Sequence, residues 1–290
     1  IAWYSQATSL KPDYYLAWCD LADALKRLGR YQEAVESCDR ALEIWSDGYA
    51  AWNHRGIALY HLEQYEAAVE SYQQAVKICP EAQTTWHNYG LSLERLNRHL
   101  EALNSYDQVI QLKPDHLQAW RKRSQILANL ECYEEAIASY DRLIALRPDD
   151  PKAWKKRAEV FVKMGNPDAA LESYDAALRM NPEEASIWRD RGSALFDLNR
   201  YEDGLASLET ALELNPDDAK GWSLKTIALA KLNRRDEALE CCDRAIENRP
   251  NDDHPWRIRA LLLRDLHQFE DEISSCDQAL ALNPKDADLW

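Results

Sequence analysis

No run of about 18 apolar residues occurs anywhere in the chain, so nothing reads as a membrane span. Glycine-rich phosphate loops, HExxH and GxSxG are missing as well. Positive charge is in deficit. Against 50 Asp and Glu stand 35 Lys and Arg, for a net charge of -15. That balance argues against a general nucleic-acid binder, though not against a local basic patch. No CxxC occurs, and the seven cysteines, Cys19, Cys38, Cys79, Cys132, Cys241, Cys242 and Cys276, are odd in number. They read as reduced thiols, several of them small core side chains, rather than as disulfides or zinc ligands. Reduced thiols favour the cytosol. The opening IAWYSQATSLKPD carries no basic leader or apolar core, and KDADLW stops where a further helix is expected. The chain therefore reads as a segment of a longer protein.

What is present is a period. Nine tryptophans stand 34 residues apart: Trp18, Trp52, Trp86, Trp120, Trp154, Trp188, Trp222, Trp256 and Trp290. Prolines keep the same step at Pro12, Pro80, Pro114, Pro148, Pro182, Pro216, Pro250 and Pro284, with Ser46 in the one vacancy. The register gives eight full repeats: 15–48, 49–82, 83–116, 117–150, 151–184, 185–218, 219–252 and 253–286. Partial repeats occupy 1–14 and 287–290, and the whole of 1–290 is expected to form a single solenoid.

Each repeat holds two helical patterns. In AWKKRAEVFVKMG, Trp154, Ala158, Phe161 and Met164 recur three or four residues apart and define one apolar face. Gly165 and Asn166 break that helix, and Pro167 opens the next. In PDAALESYDAALRM the apolar line runs through Ala170, Tyr174, Ala177 and Leu178, until Asn181-Pro182 ends it. The breaks allow helices of about 12 to 14 residues, paired antiparallel by short loops. Small residues recur four after each tryptophan: Ala22, Gly56, Gly90, Ser124, Ala158, Gly192, Thr226 and Ala260. The second helices add Ala34, Ala68, Ala102, Ala136, Ala170, Gly204 and Ala238, and Glu272 breaks that series. Large partners such as Leu25, Leu59 and Phe161 are expected to fill the spaces opposite. One such hairpin cannot bury its own apolar faces, whereas a stack of them can. The tryptophans are expected in that shared interior.

The pattern resembles the tetratricopeptide repeat over essentially the whole chain. The match rests on the tryptophan, the small residue four on, and the aromatic at Tyr31, Tyr65, Tyr133 or Tyr201. It rests too on Tyr72, Tyr106, Tyr140 and Tyr174, on Ala41, Ala75 and Ala177, and on the closing prolines. The resemblance implies an all-α, right-handed superhelical solenoid that serves as a non-catalytic protein-interaction scaffold. Several positions depart from the family pattern. Arg55, Arg123, Arg157, Arg191, Lys225 and Arg259 replace a leucine three after the tryptophan, and Leu208, Cys38, Cys242 and Cys276 replace an aromatic. These changes are expected to soften packing locally. Recurrent acids at Asp39, Asp107, Asp141, Asp175, Glu209, Asp243 and Asp277 suggest that Arg123, Arg157, Arg191 and Arg259 reach such acids in a structural ladder.

In the family, residues one, two, five, eight and nine after the tryptophan look into a concave groove. Transferred here, this places Arg121, Lys122, Lys155, Lys156 and Arg189 in a basic strip, with Gln125 beside it. Two readings of the strip stand: a site for an acidic segment or chain terminus, or a solvated face balanced by Glu159 and nearby acids. The family's clamp for a terminal carboxylate wants Asn where this chain has Gln125, Glu159 and Ser193, so that ligand is not expected. Farther along, Val162, Phe196, Leu224, Ile227, Ile258 and Leu261 make the groove apolar, suited to an amphipathic segment or to burial among themselves. The expected partner is a protein or peptide segment in this groove, or another domain of the parent chain. The alternative is a structural spacer that self-associates end to end. Nucleic acid is the weakest of the partners considered, and no membrane is expected. Of the seven histidines, His54, His61 and His87 lie closest together, without Asp or Cys at ligand spacing. No metal, cofactor or catalytic residue is expected.

Overall fold

The computed structural model describes residues 1–284. Trp290, the close of the eighth repeat at Asp286 and the partial repeat 287–290 lie outside the described residues. Among the described residues there are 17 α-helices and no strand. Helix α1 is Ala2–Leu10. The first helices of the hairpins are α2 (Tyr15–Arg27), α4 (Tyr49–His61), α6 (Gln83–Arg95), α8 (Leu117–Asn129), α10 (Pro151–Lys163), α12 (Ala185–Asp197), α14 (Ala219–Lys231) and α16 (Asp253–Asp265). The second helices are α3 (Tyr31–Ile44), α5 (Tyr65–Ile78), α7 (His99–Leu112), α9 (Tyr133–Leu146), α11 (Pro167–Met180), α13 (Tyr201–Leu214), α15 (Arg235–Asn248) and α17 (Phe269–Leu282). First helices have 13 residues and second helices 14, within the lengths that the breaks allow.

The described chain forms two compact units, divided between Leu146 and Arg147. In the first unit each of α2, α4, α6 and α8 packs on its hairpin mate, and α3, α5 and α7 pack on the first helix that follows. First helices also touch their successors, α2 on α4 and α4 on α6. The second unit repeats the scheme from α10 to α17, with α12 on α14 and α14 on α16.

Large and small side chains interlock, and the large partners facing Gly56 and Gly90 are tyrosines of the second helices. A β-carbon added at Gly56 would lie 2.7 Å from the Tyr72 ring, and one at Gly90 would lie 2.8 Å from the Tyr106 ring. Both tyrosines are essentially inaccessible, so the missing β-carbon is the space their rings occupy. Where the second helix carries Cys38 or Cys242 instead, the partner grows to Ala22 or Thr226. Both thiols stay buried, with Cys242 Sγ 4.0 Å from Thr226 Oγ1.

The tryptophans sit differently from expectation. Trp222 is buried, but Trp18, Trp52, Trp86, Trp120, Trp154, Trp188 and Trp256 are half-buried. The polar edge of the indole reaches the preceding loop. Trp18, Trp86, Trp120, Trp154, Trp188 and Trp222 each donate Nε1–H to the carbonyl oxygen of the proline six residues earlier, at 2.7–3.0 Å. Trp52 does the same to Ser46 O at 2.8 Å. The bond uses a backbone carbonyl, so the vacancy in the proline series leaves it intact. Each hairpin turn also contains one residue of positive φ: Gly29, Glu63, Asn97, Glu131, Gly165, Asn199, Asn233 or His267. This left-handed residue lets the next amide bond back into the helix, as Arg30 N does to Leu25 O at 3.0 Å.

Candidate functional site

The arginines three after the tryptophan resolve into clasps. Arg55 Nε is 2.7 Å from Asp39 Oδ1 on the preceding second helix, and its Nη1 donates to Ser71 Oγ at 2.8 Å on its own second helix. Arg123 pairs with Asp107 at 2.7 Å and donates to Ser139. Arg191 uses Asp175 at 2.7 Å and Ser207 at 2.6 Å, and Arg259 uses Asp243 and Ser275, both at 2.8 Å. Arg157 donates to Ser173 at 2.9 Å. In the lysine variant, Lys225 pairs with Glu209 at 3.2 Å. Arg55, Arg123, Arg157 and Arg191 also lie 5.7–6.0 Å from the ring of their own tryptophan, a cation–π distance. Arg123, Arg191 and Arg259 thus reach acids of the recurrent series, as the ladder requires. The serines that complete the clasp were not singled out from the sequence. Their signal was a serine 16 residues after each such arginine.

The first unit holds Arg121, Lys122 and Gln125, all half-buried on α8. Arg121 Nη1 approaches Gln118 Oε1 at 3.4 Å. Lys122 Nζ lies 3.1 Å from Glu94 Oε2 on α6, and the other oxygen of Glu94 accepts the Tyr106 hydroxyl hydrogen. Gln125 follows one turn later. Burial pushes the Tyr106 phenol well above its ordinary range, reinforced by that carboxylate. Beside them the His87 and His116 rings stand 5.3 Å apart. His116 Nδ1 accepts from Ala119 N at 3.1 Å and so caps α8. Burial holds the His87 imidazole below its usual pKa, with His116 and Lys122 adding to the shift. His54 is lowered as well, by burial and then by Lys26. Between α4 and α6, Thr85 Oγ1 links Tyr49 OH at 2.8 Å to Asn53 Oδ1 at 3.0 Å.

The second unit holds Lys155, Lys156, Arg189, Phe196, Leu224 and Ile227. Lys155 Nζ contacts Ser186 Oγ at 2.7 Å and Asp190 Oδ2 at 3.4 Å. Arg189 meets Asp190 at 2.8 Å and Asp218 at 3.0 Å. Burial would lower its pKa, but the two carboxylates outweigh that and raise it. Lys156 is exposed and pairs with Glu159 at 2.6 Å. Within each unit, then, Lys122, Lys155, Lys156 and Arg189 meet carboxylates of the protein itself. Glu159 was foreseen, whereas Glu94, Asp190 and Asp218 were not tied to these cations from spacing. Phe196 and Leu224 are half-buried, and Ile227 is 40 % exposed. Among the described residues no group of three His, Cys, Asp or Glu side chains is placed to hold a metal, and no helix is long and apolar enough to cross a membrane.

The family model described as Tetratricopeptide repeat matches residues 2–49, 19–82, 89–151, 155–219, 190–253 and 224–287. Among solved structures, the chain resembles YrrB, described as a TPR protein with an unusual peptide-binding site. The identity is 21 % and the TM-score 0.57, over 62 % of this chain and 92 % of that one. It also resembles MamA (41-end) from Desulfovibrio magneticus RS-1, at 16 % identity and a TM-score of 0.55, over 59 % of this chain and 97 % of that one. A third likeness is to Naa15/Naa10 bound to HypK-THB, at 17 % identity and a TM-score of 0.60. That match covers 95 % of this chain but only 43 % of the other, so this chain spans less than half of that neighbour. At such identities the likeness carries the fold alone. No curated protein sequence matches the chain.

Proposed function

The chain belongs to the tetratricopeptide-repeat family, and from that premise we propose that it is a non-catalytic scaffold whose first helices bind a segment of a partner protein. The observation that carries this reading is the surface of those helices in the second unit. Ile227 and Leu261, both at groove register, leave 40 % and 52 % of their surface in water, on helices whose other faces are closely packed. Aliphatic side chains held open on a rigid helical layer suit a ligand that covers them. In the same proposal Lys122 and Gln125 serve as contacts in the first unit, and Lys155, Lys156, Arg189, Phe196 and Leu224 in the second. A peptide-binding site on YrrB and a bound HypK-THB on Naa15/Naa10 are in keeping with such a role. Part of the same proposal are a single array over 1–290, a place in a larger multidomain protein, a cytoplasmic location, and a partner that is a separate protein or a domain of the parent chain.

The test is a photo-crosslinking residue placed at Gln125, Ser193 or Ile227, with the same residue at the exposed Glu172 of the second helix α11 as control. Irradiation in the source cells and mass spectrometry should recover one protein segment from the groove positions and not from the control. Equal recovery from both surfaces, or none from the groove, would remove the proposal.

A second reading, end-to-end self-assembly, rests on separate observations. In the first unit Trp3 is 81 % exposed and Leu10 78 %, and in the second unit Phe269 is 56 % exposed and Ile273 61 %. Sedimentation at rising concentration should then show growing species that Trp3→Ser with Ile273→Ser abolishes. A constant monomer would exclude it.

A further inference from the structure

The midline of the first helices changes character along the second unit. Two and five residues after the tryptophan, α10 and α12 carry Lys156, Glu159, Asp190 and Ser193. The same positions on α14 and α16 carry Leu224, Ile227, Ile258 and Leu261. Helices α14 and α16 touch, so these four apolar positions lie at the same register of adjoining helices. Leu224 and Ile258 are half-buried, while Ile227 and Leu261 are open.

Charge around these positions runs against that of the protein. The ten groove positions of α14 and α16 carry Lys231, Arg257 and Arg264 against Asp265 alone, three charges less one, or +2 in a chain of -15. Lys231 and Arg264 are exposed, and among the described residues neither is engaged in an ion pair, unlike Lys155, Lys156 and Arg189. As exposed cations they are accessible to an incoming carboxylate.

We infer that these four positions dock an acidic amphipathic helix of a partner protein, apolar along one face and bordered by Asp and Glu. This rests on the groove-binding reading above and names its ligand. Packed helices lie about 8–10 Å apart. Residues i and i+7 of a helical ligand are about 10.5 Å apart, at 1.5 Å per residue. Anchors at i, i+3 or i+4, and i+7 therefore span α14 and α16, and carboxylates beside them meet Lys231 and Arg264. A basic ligand would meet like charge here and would find its complement on the acidic second helices instead.

The experiment uses the full chain and two labelled helical peptides of about 16 residues with identical leucine anchors, one with glutamate flanks and one with lysine flanks. In fluorescence anisotropy the glutamate peptide binds at least about tenfold more tightly than its lysine twin, and the difference shrinks between about 0.05 and about 0.5 M salt. Ile227→Ser with Leu261→Ser abolishes binding of both peptides. Lys231→Glu with Arg264→Glu reverses the preference. These side chains are exposed, so the circular dichroism of both variants should match the parent. Equal binding of the twins, failure of both to bind, or binding untouched by I227S/L261S overturns the inference. Crosslinks from Ile227 to a segment without an acidic amphipathic pattern, or to a second copy of this chain, overturn it too. A segment of another protein lacking that pattern leaves the groove-binding reading standing. An absence of any crosslinked segment removes both.

Discussion

Arg191 joins two hairpins, its Nε 2.7 Å from Asp175 Oδ1 on α11 and its Nη1 2.6 Å from Ser207 Oγ on α13. The two halves of this clasp differ in weight. Asp175 is 46 % exposed at its side chain, so solvent screens its pairing to less than about 1 kcal/mol. Ser207 is buried, and its removal leaves a guanidinium N–H without an acceptor. Ser207→Ala is therefore expected to cost about 1–2 kcal/mol in a urea titration, more than Asp175→Ala. Arg191→Lys should not rescue, because a single ammonium lacks the planar fork that reaches both partners.

The tryptophans should divide by burial. Trp222→Ala is expected to cost about 3–5 kcal/mol and the half-buried Trp154→Ala about 2–3 kcal/mol. Trp154→Phe keeps most of the packing and loses the bond to Pro148 O, 3.0 Å in the parent, for about 1 kcal/mol. Chemical denaturation of the three variants orders them.

Relief of a left-handed residue should stabilise. Glu63 holds φ at 61°, where a β-carbon meets the following carbonyl. Glu63→Gly is expected to raise stability by about 0.5–1 kcal/mol, after the added freedom of the unfolded glycine is subtracted. Leu62→Gly, one residue earlier at a φ of -83°, should destabilise and serves as the control.

Stability should fall on acidification through two histidines of the first unit. Burial lowers the folded pKa of His54 and His87 below the ordinary 6.5. Between the folded and the unfolded values the unfolded chain binds more protons. The stability is therefore full above pH 6.5 and is lost as pH falls through the lowered pKa values. Denaturation midpoints below pH 6.5 should decline less steeply in a His54→Gln, His87→Gln variant.

Much of this architecture was legible in the residues. A period of 34 repeated eight times averages out local noise, so Trp, Pro and the small-residue slots gave the hairpins and their stacking partners. Pairing of arginine with the acids of the neighbouring second helix was legible for the same reason, since both recur in every hairpin that has them. Apart from Glu159, the partners of the strip were not. Asp190 follows Arg189 directly and Asp218 lies in a loop, and nothing in spacing selects them from 50 carboxylates until helices are docked. The half-burial of the tryptophans escaped because apolar periodicity places a ring but not its N–H. Glu63 and Glu131 escaped as left-handed turn residues because glutamate gives no turn signal.

The clasps of Arg55, Arg123, Arg191 and Arg259 each reach a residue 16 positions back and another 16 positions on, and the proline–indole bond spans six. A tandem duplication or deletion of a whole 34-residue block thus returns each arginine to the same two slots, which in the eight full repeats hold an acid everywhere but at Gln73 and a serine everywhere but at Cys241. A gene encoding such a chain can lengthen or shorten by recombination in phase with the period, whereas a break out of phase strands an arginine without its serine.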